Sequence, residues 1–429
     1  MRYSFRTTFL ENELSEIKLK VLLWLKSFST FTYLDNNLYP HQPNRFELLV
    51  GAGNAYAIPT TQIGTINDWH FGHLTYDYKN VLFPRLYSKN RPTSTFKLDG
   101  FFVPEVVIQI PFGTNTLLIE SLQNDTATIW DAIVKQDITS KELPEIIPAK
   151  HTIHHRFFEE SSYQQTVNAI RNHIEEGDCY ELNLVNGKII EHYVADPFFL
   201  FQKLNQLNPA PFSCLYRNDD DFLISSSPER YLYKAESRIL SQPIKGTIKR
   251  GDTPEKEALA KQQLFNDVKE RAENVMIVDL VRNDLAKISE VASVKVPELF
   301  GVYTFKQLHH LISTISATLK PNLSLYKIIT EPFPMGSMTG APKYIVMELI
   351  EQYEQFQRNI YSGTVGYIMP NHDFDFNVVI RSLVYNVATQ RIVFHTGGAI
   401  TYDSSAEKEW QETLLKALAM ETVLKNEIL

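Results

Sequence analysis

Ser241-Gln242-Pro243-Ile244-Lys245-Gly246-Thr247 is the stretch on which the reading of this chain turns. Pro243 fixes the backbone on one flank and Gly246 leaves the other bare, so the lysine is held while another group can approach its backbone closely. A lysine held this way is a candidate nucleophile once its amine is neutral. Five residues alone leave a solvated loop lysine as an equal reading, so the rest of the chain has to decide.

The 429 residues exceed the usual ceiling for one simple core and point to a large composite domain or two lobes. Apolar residues make up 44% and charged residues 21%, as in ordinary globular proteins. The 42 basic and 50 acidic residues give a net charge of −8, which repels nucleic acid and anionic membrane. A small dianionic substrate would need a local positive site or a metal. The apolar run Val21 to Leu25 is far too short to cross a bilayer, and the lysines around it with no cleavage pattern after it do not make a secretory signal. Cys179 and Cys214 are the only cysteines and build neither a disulfide framework nor a zinc site, so a reducing cytoplasmic location is expected.

Residues 1–148 read as a strand-rich and turn-rich region, with Phe46 to Val50, Phe101 to Pro104 and Val106 to Ile110 as extended runs. Residues 149–429, after the Pro144 and Pro148 interruptions, read as the catalytic region, mixing helix and strand without a βαβ alternation. The expected class is therefore α+β. Phe157 to Glu176 predicts an amphipathic helix stopped by Gly177, and Thr253-Pro254-Glu255 opens another. Leu223 to Ser227 and Val378 to Val384 read as strands. Ser404 to Glu407 offers a capping box for a last helix that turns Trp410, Leu414, Leu418 and Val423 inward.

Glu270 and Glu273 stand three apart, as do Glu409 and Glu412. On helices each pair shares a face, and two converging pairs of carboxylates with water would suit magnesium, a hard ion that prefers oxygen. Glu412 and Lys416 are also spaced as an ordinary surface ion pair, so each pair alone reads as a solvated face.

Taken together, the motifs resemble the chorismate-using enzymes. Pro243 to Thr247 is similar to the signature of the aminodeoxychorismate synthase component I family, whose lysine attacks the chorismate ring; the sister anthranilate synthases usually carry alanine there. Ala272 to Asp284 and Glu407 to Thr413 resemble the two magnesium-binding helices, with Glu273 and Glu412 on the ligand positions and Glu270 and Glu409 holding metal-bound water. Ser225 to Arg230 resembles the segment whose glutamate, here Glu229, acts as general acid. His310, in His309-His310-Leu311-Ile312-Ser313, falls on the family's active-site histidine. Glu331 to Lys343 is similar to the loop whose hydroxyls, here Ser337 and Thr339, face a bound carboxylate. Tyr361, Arg381 and Gly397-Gly398-Ala399 resemble the clamp for the enolpyruvyl carboxylate, and Lys416 stands where it would contact the ring carboxylate. Two positions depart from the pattern: Glu181, commonly glutamine, and Ala399, often glycine and tolerable only if its backbone is not left-handed.

The resemblance implies packed antiparallel sheets flanked by outer helices, a Mg2+ cofactor, chorismate as substrate, and 4-amino-4-deoxychorismate as product through a Lys245 adduct. A nucleophilic lysine is expected to have a lowered pKa, since ordinarily only about one in a few thousand is neutral at pH 7. Neither cysteine sits in a glutaminase nucleophile turn, so the resemblance implies ammonia from a separate glutamine amidotransferase subunit. Anthranilate synthase component I and a non-catalytic chorismate-binding homologue are the alternatives, and Lys245 with its accompanying acids argues against both.

Overall fold

The computed structural model describes residues 2–40, 43–138 and 152–425. Two large antiparallel sheets pack face to face. The first runs Tyr3–Thr8, Thr116–Ser121, Val106–Pro111, Phe46–Ala52, Thr30–Asp35, Phe212–Asn218, Asp221–Ser227, Ser382–Asn386, Arg391–Ile400, Glu181–Glu191, Ile153–Arg156, with Gly340–Ala341 also paired to Glu181–Glu191. The second runs Ile244–Lys249, Leu308–Thr318, Arg238–Gln242, Arg230–Ala235, Phe374–Asn377, Thr364–Ile368, His70–Leu74, Asp99–Val103, Tyr56–Ile58, with Lys295–Thr304 also paired to Leu308–Thr318.

The layers explain the strand sequences. Leu49, Phe71, Val107, Leu223, Val365, Val384 and Val393 form the core between the sheets. On the outer face of the first sheet, Leu48, Val50, Ile108, Leu215 and Phe394 pack under the helices Leu14–Trp24, Thr126–Val134, Pro197–Leu207 and Ala406–Lys425. A strand such as Phe46–Ala52, covered on both faces, is buried nearly throughout and reads as a continuous apolar run instead of alternating. The helix Val268–Ile288 lays Ile277, Val278, Val281 and Leu285 on the outer face of the second sheet.

The expected boundary at 148/149 lies outside the described residues. Strands from both sides of it pair within each sheet: Thr30–Asp35 with Phe212–Asn218, and His70–Leu74 with Thr364–Ile368. Among the described residues no helix is long and apolar enough to cross a membrane.

Three local expectations are corrected. Val378 to Arg381 is not strand; pairing begins at Ser382, because Arg381 takes a left-handed backbone with φ of 51° and turns its side chain out of the strand direction. Ser404 does not close a capping box with Glu407; its hydroxyl donates to Glu409 Oε1 at 2.8 Å. Leu414 and Leu418 are exposed, and the inward face of the last helix is Trp410, Thr413, Ala417, Met420 and Val423. The helix ending at Gly177 (φ 88°) and the Thr253 cap, which accepts from Lys256 N, form as the sequence predicts.

Candidate active site

Lys245 lies on the strand Ile244–Lys249, the edge of the second sheet. The bulge between Ile244 and Thr247 is made by Gly246, whose φ of 92° favours glycine and whose missing Cβ would stand 3.1 Å from Glu270 Oε2. The helix carrying Glu270 and Glu273 can therefore press directly against the lysine's strand. Lys245 Nζ forms an ion pair with Glu181 Oε1 at 2.7 Å, between largely buried side chains. Burial alone would push this amine down, but the carboxylates of Glu181, Glu273 and Glu229 outweigh it and hold the amine above its ordinary value. This reverses the expected direction, because the fold sets three carboxylates around the amine.

Glu229, at the end of Asp221–Ser227, is buried and accepts a hydrogen bond from Ser337 Oγ at 2.6 Å. Burial pushes its carboxyl up to about 7, against the Ser337 hydrogen bond and the charges of Lys245 and Arg381. Ser337 and Thr339 come from the loop that includes Gly340, which abuts Glu181 so closely that a Cβ there would meet Glu181 O at 2.0 Å. Thr339 is buried, but its hydroxyl donates to Met335 O at 3.0 Å, so it is engaged within its own loop.

His310 is buried with Nδ1 2.9 Å from Thr247 Oγ1 and Nε2 2.9 Å from Arg381 Nη2. Arg381 can only donate, so Nε2 accepts and the proton sits on Nδ1. Burial and the Arg381 charge hold this histidine well below its ordinary pKa, and it is neutral. Arg381, itself lowered to about 10 by burial, is held by a neutral partner and keeps its charge uncompensated by any ion pair among the described residues. Tyr361 is buried nearby; a Cβ on Gly397 would stand 3.3 Å from its hydroxyl and 3.0 Å from Asn183 Nδ2, which has no hydrogen-bond partner.

Gly397, Gly398 and Ala399 pair with Val185, Leu184 and Asn183. Ala399 does not have a positive φ, so its methyl is accommodated. A Cβ on Gly398 would lie 3.3 Å from Glu409 Oε2 and 3.9 Å from Glu412 Oε1, which places this strand beside the second acid pair. Lys416 Nζ bridges Glu412 Oε1 at 2.6 Å and Gly397 O at 2.7 Å.

The two acid pairs face one another across Lys269, whose Nζ is 3.6 Å from Glu273 Oε1 and 3.9 Å from Glu409 Oε1. Glu273 Oε1 is buried without a hydrogen-bond partner. Burial, with the neighbouring acids, holds Glu270, Glu273 and Glu409 above the usual carboxylate range, Glu273 at about 7; Lys416 holds Glu412 below it. Hard oxygen donors that repel one another and include an orphaned buried oxygen fit a divalent cation such as magnesium. The acids are not drawn to chelating distance. The set with three ligand atoms within 4.8 Å of one another is His173, Glu176 and Asp178, where both His173 nitrogens are already engaged by Asp178 and Tyr353. An ion at the four glutamates would therefore keep several waters, as magnesium does.

Raised carboxyl pKa values give a testable sign. A group at about 7 in the folded chain and near 4.5 unfolded binds more protons when folded between those values, so stability falls as pH rises through that window. Glu273→Gln is expected to raise the metal-free melting temperature at pH 8, by up to about 3 kcal/mol of stability, and to change it far less at pH 5. Equal melting curves at both pH values would contradict this.

Sequence reading missed Glu181's pairing with Lys245, Lys269 between the acid pairs, and Arg358. Arg358 is fully buried and donates to Glu354 at 2.6 and 2.8 Å, to Met338 O at 2.6 Å and to Asn183 O at 2.7 Å. It ties the Ser337 loop to the strand of Glu181, yet a single arginine after a helix gives no signal in the chain. Arg358→Ala leaves Glu354 buried and unpaired and is expected to cost about 3–5 kcal/mol, read by denaturant unfolding. A loss below about 1 kcal/mol would show the ties to be dispensable.

The chain is 41% identical over 255 residues to aminodeoxychorismate synthase component 1 of Klebsiella aerogenes, a match covering 59% of this chain and 56% of that protein. It is 34% identical over 278 residues to anthranilate synthase component 1 of Neisseria meningitidis serogroup B, covering 65% and 56%. The aligned stretch thus spans little more than half of these relatives. Its fold is shared with the menaquinone-specific isochorismate synthase of Escherichia coli (TM-score 0.75, 18% identity, 99% and 95% coverage) and with anthranilate synthase component I of Streptococcus pneumoniae (0.75, 24%, 89% and 93%). The family model for chorismate binding enzymes matches residues 36–422, which takes in most strands of both sheets and every residue of the site, and the chain belongs to that family.

Proposed function

We propose that this chain is an aminodeoxychorismate synthase component I, adding ammonia to chorismate to give 4-amino-4-deoxychorismate. The observation that carries the reading is Lys245 itself, buried among acids with the about-7 carboxyl of Glu229 beside it. In this reading Arg381 and Tyr361 hold the enolpyruvyl carboxylate, with the Gly397-Gly398-Ala399 stretch of strand beside them. Ser337 and Lys416 face the ring side, and neutral His310 keeps Arg381 aimed. Glu273 and Glu412, with Glu270 and Glu409 through water, would hold magnesium. When bound, it would offset the acids that keep Lys245 protonated and polarise the ring carboxylate.

Lys245, once neutral, forms a bond from Nζ to C2 of the ring. Both ring double bonds shift, C1=C2 to C1=C6 and C5=C6 to C4=C5, and the C4–O bond breaks, with Glu229 giving its proton so that water leaves. Ammonia then bonds to C4, both double bonds shift back, and the C2–N bond breaks to release Lys245. The Lys245 proton has to go first; Glu181, 2.7 Å away, is the nearest acceptor. A separate glutamine amidotransferase subunit would supply the ammonia.

The test is to incubate the chain with chorismate, magnesium and an ammonium salt and to identify the product by mass and fluorescence. 4-Amino-4-deoxychorismate supports the reading. Fluorescent anthranilate would show the other amination of the family, and unchanged chorismate would show a binding protein.

A further inference from the structure

A cavity of about 320 Å³ opens at the rim of the layer between the two sheets, formed by residues separate from those of the active site. Its floor is one face of the first sheet. Glu191, Arg391, Asn386 and Asp221 form a row across four strands there: Asn386 pairs with Arg391 and with Asp221, and Glu191 follows the Ile190–Ile392 pair. Val384 and Val393, one row deeper and paired with each other, make the apolar base. The roof is the loop Thr93-Ser94-Thr95. It is tied down by Thr95 Oγ1 to Asp221 and by Asn386 Nδ2 to Thr95 Oγ1 at 3.0 Å, so the space is preformed.

Two residues lining this cavity each carry a buried polar atom without a partner, Nε of Arg391 and Oγ1 of Thr93. Arg391 makes no ion pair among the described residues, and neither does Glu191, its neighbour across the strands. Buried donors left open in this way favour an acceptor from outside the fold. A phosphate or dicarboxylate would meet Glu191 and Asp221, and a simple cation would leave Arg391 and Thr93 unmet. A molecule with one carboxylate, one amine and a compact apolar body satisfies the whole row. We propose that this cavity binds a small amino carboxylate, its acid on Arg391 and Thr93, its amine on Glu191, its body on Val384 and Val393.

Calorimetric titration of the full chain tests this with two arms, 4-aminobenzoate and L-phenylalanine, which place the amine on a ring or beside the carboxylate. Benzoate and aniline, each lacking one group, are the controls. At least one arm is expected to saturate with a Kd below about 1 mM, and its matching control to bind at least about tenfold more weakly. Arg391→Ala and Arg391→Lys should each weaken binding about tenfold or more, and Thr93→Val about threefold. Glu191→Gln should bring 4-aminobenzoate down to the level of benzoate. The unliganded melting temperature of each variant confirms that it is folded. Arg381→Ala, in the active site, should leave this binding unchanged. The proposal is overturned if neither arm saturates by about 10 mM, or if binding survives both Arg391 variants or is lost with Arg381→Ala.

Discussion

Lys245→Ala is expected to lower amination of chorismate by about a thousandfold or more, near 4 kcal/mol of barrier, because it removes the amine that forms the ring adduct. The substitution also leaves Glu181 buried without its ion-pair partner, which destabilises the chain on its own account. Lys245→Ala combined with Glu181→Gln removes both charges, and should recover melting temperature without recovering activity. Restored stability with activity still absent assigns the loss to chemistry. Activity returning in the double variant would mean that Lys245 serves only to neutralise Glu181.

Glu229→Gln should cost about a hundredfold to ten-thousandfold in kcat, the range for loss of a positioned general acid. The pH profile separates this role from a structural one. Glu229 works protonated, and burial sets its carboxyl at about 7, so kcat/KM in the parent should fall as pH rises past that value. In Glu229→Gln the residual activity should lack this descending limb. Ser337→Ala removes a hydrogen bond that favours the charged form and should move the limb to higher pH. A limb that stays in place in Glu229→Gln would assign it to another group, with Glu273, also at about 7, as the nearest alternative.

Both predictions depend on how the chain brings distant residues together, and only part of that was legible in the sequence. The motifs were readable because each carries its own backbone chemistry: Gly246 beside Lys245, Thr253 capping one helix and Gly177 closing another. The α+β class followed from strand runs without a helical alternation, and the packed antiparallel sheets from the resemblance. The sharing of each sheet between the early and late parts of the chain was not legible. It depends on pairings such as Thr30–Asp35 with Phe212–Asn218, far apart in sequence and with no local mark.

Charge balance was the other thing hidden. Read as sequence, Lys245 is an amine of lowered pKa, whereas the fold sets Glu181, Glu273 and Glu229 around it and reverses the direction. Arg381 shows the same limit. Val378 to Val384 reads as one strand, but the left-handed backbone at Arg381 interrupts it and brings the guanidinium to His310. Ser404 is read locally as a helix cap and used instead to hold Glu409. In each case a long-range contact outweighed a local preference worth about 1 kcal/mol.

Intact-protein mass spectrometry after incubation with chorismate and magnesium, with ammonia withheld, tests the central claim most directly. The account predicts a species heavier than the chain by one chorismate less one water, mapped to Lys245, absent from Lys245→Ala and discharged on adding ammonium salt. An unmodified chain that nevertheless converts chorismate and ammonia to 4-amino-4-deoxychorismate would contradict it.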